Sequence, residues 1–146
     1  MAGIPVRTQG GPQSYDVAEA ITGGQLVEAR DDSQVGVAAA DSTTVLGVAL
    51  NDAVTAASIS TGVDANNVLN AAPLPTRAVV AKSGHEVALT YAADADFGQR
   101  LKAAAAGAVT PFVSGTDTDP ALVVAICTEP AGVTVATKAT GLARIL

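Results

Sequence analysis

Residues 24–52 read Gly24-Gln-Leu-Val-Glu-Ala-Arg-Asp-Asp-Ser-Gln-Val-Gly-Val-Ala-Ala-Ala-Asp-Ser-Thr-Thr-Val-Leu-Gly-Val-Ala-Leu-Asn-Asp52, and this stretch decides the fold class. Three Val-rich runs, Gln25 to Ala29, Gln34 to Ala39 and Thr44 to Leu50, are split by Asp, Ser and Thr. β-Branched residues suit a pleated surface, and turn formers interrupt them too often for a helix to establish itself. The same punctuation continues through Arg77 to Lys82, His85 to Tyr91, Gly107 to Val113, Ala121 to Thr128, Val133 to Thr137 and Leu142 to Leu146. The spacing predicts an all-β fold, a small barrel or a sandwich of short strands. Ser83-Gly84 between Arg77–Lys82 and His85–Tyr91 makes those two runs the strongest hairpin, because Gly accepts the positive φ of a two-residue turn. Helix is scarce: Asp64 to Leu69 could make one turn with Asp64 as its N-cap, ahead of Pro73. Leu101 to Ala106 has helix propensity from its alanines but is too short to hold a helix, so strand and turn are expected there.

An internal echo runs through the same segments. Gly24-Gln25-Leu26-Val27-Glu28-Ala29 resembles Gly98-Gln99-Arg100-Leu101-Lys102-Ala103, and Val35-Gly36-Val37 stands as far after the first Gly as Val109-Thr110-Pro111 after the second. Val45-Leu46-Gly47-Val48-Ala49 then matches Val123-Val124-Ala125-Ile126-Cys127 after an insertion, and polar steps follow at Asn51-Asp52 and Thr128-Glu129-Pro130. Shared Ala/Val composition competes with true repetition as the explanation. Taken as repetition, the echo means two copies of a three-strand unit within one fold.

Ahead of these strands, residues 1–22 read as an extended N-terminal arm, with residues 23–146 as the β-rich domain. Pro5, Gly10, Gly11 and Pro12 remove helix as an option in the arm. Ile4, Pro5, Val6 and Arg7 are candidate partner-binding residues: an extended segment could lay Ile4 and Val6 into pockets of a neighbour. The first residues lack the apolar core of a secretory signal, and no apolar run approaches membrane-spanning length, so a protein made and kept in the cytosol until it is assembled is expected.

Of the 146 residues, 49% are hydrophobic but only 3% aromatic, so the apolar mass is mostly Ala and Val and the core is thin. Thin cores are often completed by a partner or by oligomerisation. The net charge of −6, with eight Lys and Arg scattered along the chain, offers nothing to a phosphate backbone. Nor do Tyr15, Tyr91, Phe97 and Phe112 make a stacking platform for nucleic acid; Tyr91 and Phe97 are expected to plug the core.

The residues that could carry chemistry are few. His85 and Cys127 could formally pair as base and nucleophile, but His85 falls at a turn and Cys127 in the apolar run Ala121 to Ile126, where a thiolate gains no support. Cys127 is therefore expected to be buried and structural. Asp31-Asp32, Asp94-x-Asp96 and Asp117-x-Asp119 lack the continuing acidic loop of a calcium site and read as turns. Gly23-Gly24 precedes a strand, whereas a phosphate-binding loop would open a helix. No catalytic, metal-binding or cofactor-binding set emerges, and the chain is not expected to be an enzyme.

Val45-Leu46-Gly47-Val48-Ala49-Leu50-Asn51-Asp52-Ala53, the run from Val87 to Gly98, and Cys127-Thr128-Glu129-Pro130-Ala131-Gly132-Val133 resemble the capsid decoration, or head cement, proteins of tailed phages, most closely those of actinobacterial phages. The resemblance implies a structural virion protein on the outer surface of the expanded capsid. It implies a homotrimer that binds the major capsid protein and fastens neighbouring subunits, with no cofactor. A carbohydrate- or cell-surface-binding β domain is the alternative, although sugar sites usually present exposed aromatics and this chain has four.

Overall fold

Ten short strands carry the chain in the computed structural model, which describes residues 11–59 and 75–146. β1 (Gln13–Val17), β2 (Leu26–Ala29), β3 (Gln34–Val37), β4 (Val45–Ala49) and β5 (Arg77–Ala81) close into a barrel in the order β1-β3-β2-β4-β5, with β5 returning to β1. β6 (Glu86–Thr90), β7 (Arg100–Ala103), β8 (Val109–Pro111), β9 (Val123–Cys127) and β10 (Thr140–Ile145) make a second antiparallel sheet in the order β6-β10-β9-β7-β8. α1 (Ala56–Ile59) is a single turn. The fold is mostly β, with a closed barrel where the sequence left barrel and sandwich open.

The second sheet repeats the barrel strand for strand, β6 to β10 answering β1 to β5. Val27↔Val37, Glu28↔Gly36 and Ala29↔Val35 have their counterparts in Leu101↔Pro111, Lys102↔Thr110 and Ala103↔Val109. Leu26↔Val48, Val27↔Gly47 and Glu28↔Val45 answer to Arg100↔Ile126, Leu101↔Ala125 and Lys102↔Val123. Both of these ladders slip register at the same step, Val27/Glu28 and Leu101/Lys102, a bulge that adds the twist a small ring needs. The entry turns also agree: Gly24 and Gly98, both at positive φ, donate their N–H groups to Ala49 O and Cys127 O. In the same turns Gln25 Oε1 accepts from Thr22 N and Gln99 Oε1 from Asp96 N. Composition alone does not reproduce side-chain hydrogen bonds at matching positions, so the echo is a structural repeat of five strands, two more than the sequence displayed.

The two units differ at one seam. In the barrel, β1 and β3 close the ring through a parallel ladder, Asp16↔Gln34 and Val17↔Val35. The counterpart is the single parallel bridge Tyr91↔Val109. The interiors correspond as well. Val17, Ile21, Val27, Val35, Ala49, Ala53, Ala78 and Val80 line the barrel. Tyr91, Ala95, Leu101, Val109, Cys127, Val133, Gly141 and Ala143 take those positions in the second unit, and volume is traded among them. Tyr91 replaces Val17, while Ala95 replaces Ile21 and Gly141 replaces Ala78, so the large ring is accommodated by neighbours that shrank. From the barrel's outer side, Leu26, Ala38 and Val48 join the core of the second unit and weld the two together.

Four expectations need correction. Arg77–Lys82 and His85–Tyr91 are not a hairpin: β5 spends both edges on β1 and β4, and β6 pairs with β10. The Lys82–His85 turn, with His85 N 3.3 Å from Lys82 O, instead joins the two units. Val133–Thr137 is not a strand either. Val133 makes one bridge to Ala95, after which Thr137 N and Lys138 N both turn back to Thr134 O. The strands begin at Gln13, inside the stretch read as the arm, because Tyr15 and Val17 alternate inward while Ser14 and Asp16 face solvent. Phe97 is no core plug. It occupies the tip of the β7 entry turn, where a side chain has no interior to enter, and is 65% exposed, whereas Tyr91 is buried. The helix expected over Asp64 to Leu69 lies outside the described residues.

Candidate functional site

The residues with chemical potential are held apart. His85 Nδ1 lies 3.0 Å from Lys82 O on the turn between the units. Cys127 is fully buried in β9 and interacts with the Tyr91 phenol, not with an imidazole. Tyr91 donates its hydroxyl to Leu142 O at 3.0 Å, and burial, reinforced by Cys127, pushes the phenol far above its usual range. Buried and hydrogen-bonded, Tyr91 serves here as a core residue.

The acidic pairs are spent on turns and strand ends. Asp94 Oδ1 accepts from Val135 N at 2.7 Å, and Asp119 Oδ1 accepts from Ala121 N at 2.8 Å to cap the 3-10 turn Pro120–Leu122. Asp117 accepts from Val113 N at 2.8 Å and from Lys102 Nζ at 2.6 Å, and Lys102 also meets Asp41 at 2.9 Å. The hydrogen bond to Lys102, then that to Val113, holds the Asp117 carboxyl below its ordinary value, and Asp117 followed by Asp41 raises Lys102. Glu28, the counterpart of Lys102, is buried with Arg30 and Ala39 N as partners. The same register position thus holds opposite charges in the two units, each tied down by its own partners. Among the described residues, no three His, Cys, Asp or Glu converge as metal ligands.

An open cleft of about 550 Å³ is bordered by Asp16, Gln34, Thr55 and Thr76. One of about 240 Å³ is bordered by Glu129, Thr134 and Lys138. The Oε2 atom of Glu129 accepts from Leu142 N at 3.1 Å. What the described surface does offer is apolar area: Phe97, Val113 and Leu146 are each more than half exposed, with Leu50 and Leu142 next. The candidate partner-binding residues Ile4, Pro5, Val6 and Arg7 lie outside the described residues.

Among the described residues no helix is long and apolar enough to cross a membrane. The fold is a pair of five-strand β units, one closed and one open at a seam. Over 92% of its length this fold is similar to the head fiber gp8.5 N base of bacteriophage phi29, covering 92% of that chain, with a TM-score of 0.56 and 14% sequence identity. At that identity the likeness is one of fold. No protein-family model matches the sequence, and neither does any curated protein.

Proposed function

We propose that this chain is a structural protein of a tailed-phage head, attached to the outer surface of the expanded capsid and stabilising contacts between major capsid protein subunits. The observation that carries the reading is the fold shared with a head fiber base over nearly the whole of both chains. Two further features support it. The described surface presents apolar side chains without an assembled catalytic set, and the sequence segments around Val45–Ala53 and Cys127–Val133 resemble decoration proteins. In this reading the chain works as a homotrimer, and Ile4, Pro5, Val6 and Arg7 reach the capsid or a sister subunit. Attachment to a shell serves as a clamp: each copy adds binding free energy only once the subunits have reached their expanded spacing.

The test is co-sedimentation of the full chain with immature and with expanded shells of the cognate major capsid protein, followed by imaging of the decorated particles. Saturable binding to expanded shells, and raised resistance of those shells to heat, is the expected result. Equal binding to both shell types, or to neither, overturns the proposal.

A further inference from the structure

The two units meet asymmetrically. The first contributes the face of β2, β3 and β4: Gln25 Nε2 donates to Ala106 O at 3.0 Å, and Ala38 O accepts from Gly107 N at 3.2 Å. The second contributes its Ala105–Gly107 turn, in which Ala106 and Gly107 take left-handed φ values of 56° and 68°. Leu26, Ala38 and Val48 are buried by this contact.

Each half of this contact exists a second time. The counterpart of the gripping face, in the second unit, carries Gln99, Arg100, Phe112 and Ile126 where the first has Gln25, Leu26, Ala38 and Val48. There Arg100 is exposed, and Phe112 and Ile126 are half-buried. The counterpart of the gripped turn, in the first unit, is Asp31–Ser33, exposed throughout, with Asp32 and Ser33 at φ 58° and 61°. The backbone shape that the first unit's face holds is thus displayed again, on the other unit, in the open.

The two exposed surfaces are complementary in charge. Arg100 stands where the internal contact has Leu26, and Asp31-Asp32 stand where it has Ala105-Ala106, the exposed rim of a turn in which Gly107 alone is buried. None of these three charges forms an ion pair among the described residues. We infer that a second copy of this chain docks head to tail, the Asp31–Ser33 turn of one copy against the Arg100, Phe112 and Ile126 face of the next. A Cβ on Gly107 would lie 2.8 Å from Leu26 O, and Ser33 carries that Cβ. The contact between copies is accordingly wider than the internal one and polar, with Arg100 reaching the two carboxylates. Because it joins two different patches it propagates, closing into a ring or extending as a fibre. The inference goes beyond the capsid reading and does not rest on it.

Sedimentation velocity on the full chain, over a range of concentration and salt, tests it. The wild type should assemble at low salt and dissociate as salt screens the Arg100 contact. Arg100→Asp and the double variant Asp31→Lys/Asp32→Lys should each weaken assembly by at least about tenfold, since each now faces like charge. An equimolar mixture of the two should reassemble, because every head-to-tail junction between unlike chains again pairs opposite charges; this rescue also shows that both variants are folded. A wild type that stays monomeric at every concentration, an Arg100→Asp variant that assembles like wild type, or a mixture that fails to reassemble overturns the inference. A monomeric wild type that still decorates expanded shells would remove this interface, and the homotrimer with it, and leave shell attachment standing; intact assembly without shell binding would remove shell attachment and leave this interface.

Discussion

Replacing Gly141 by alanine would place a Cβ 2.3 Å from Val133 Cγ2 and 3.5 Å from Tyr91 Cε2. Val133 is buried and β-branched, so its methyl cannot swing away without an unfavourable rotamer. Overpacking of this kind costs about 1–3 kcal/mol. The barrel shows what relieves it: Ala78 takes the place of Gly141 there, and Ala53 takes the place of Val133. Val133→Ala alone removes two methyl groups from a closed core and should cost about 2 kcal/mol. In the double variant Val133→Ala/Gly141→Ala the new methyl occupies part of the space the valine vacated. The two costs should then fall short of their sum by about 1 kcal/mol or more, a coupling typical of residues sharing one cavity. Urea unfolding of the four proteins, analysed as a double-mutant cycle, measures it. Additive costs would refute the claim that the two interiors are interchangeable solutions of one packing problem.

Four other outcomes follow from the geometry. Asp117 titrates below 3.8, so its contribution is present above that value and is lost as pH falls through the depressed one; Asp117→Asn should flatten the acid limb of thermal midpoint against pH. Lys102 in the same cluster contributes fully below 10.5 and loses its contribution only as pH rises through its raised value, so the alkaline limb should be displaced upward. Cys127→Ala should fold and attach nearly as wild type, matching Ala49 in the barrel, whereas Cys127→Asp should fail to fold; rapid labelling of the native thiol by a bulky reagent would contradict the burial. Deleting residues 1–12 should leave β1 and the domain folded by circular dichroism, because β1 starts at Gln13. On the proposed arm contact, losing Ile4 and Val6 forfeits roughly 3–6 kcal/mol before ordering costs, so shell binding should weaken at least about tenfold; unchanged occupancy would remove the arm from the interface.

The strands were legible where β-branched runs alternate with Asp, Gly and Ser, as in Leu26–Ala29, Gln34–Val37 and Val45–Ala49. The inner three strands of each unit could also be matched, because the Gly-Gln turn and the bulge between β2 and β4 impose the same residue types twice. The outer two could not. Gln13–Val17 and Glu86–Thr90 share only an alternation of side chains, and their partners β5 and β10 lie at the far end of each unit. The mistaken hairpin has a related cause: Ser83-Gly84 satisfies a tight turn equally well between paired strands or between two units, and only long-range pairing decides. Phe97 was misplaced because hydrophobicity reports a preference, while its turn tip, held by Gly23 in the first unit, offers no interior. The docking faces left no mark because Arg100, Phe112 and Ile126 are ordinary strand residues until their counterparts are seen buried.

The open seam of the second unit bears on how such a molecule could attach to anything. A missing β6–β8 ladder should leave strand edges able to recruit other chains. At one end of the gap Ala92 N donates to Val109 O, while Ala88 along β6 is exposed. The described surface also offers side chains such as Phe97, Val113 and Arg100 for association. Contacts of that kind discriminate by shape and charge, whereas an open edge accepts almost any extended backbone. On the proposed reading, contacts of the first kind would let the chain tell an expanded shell from an immature one.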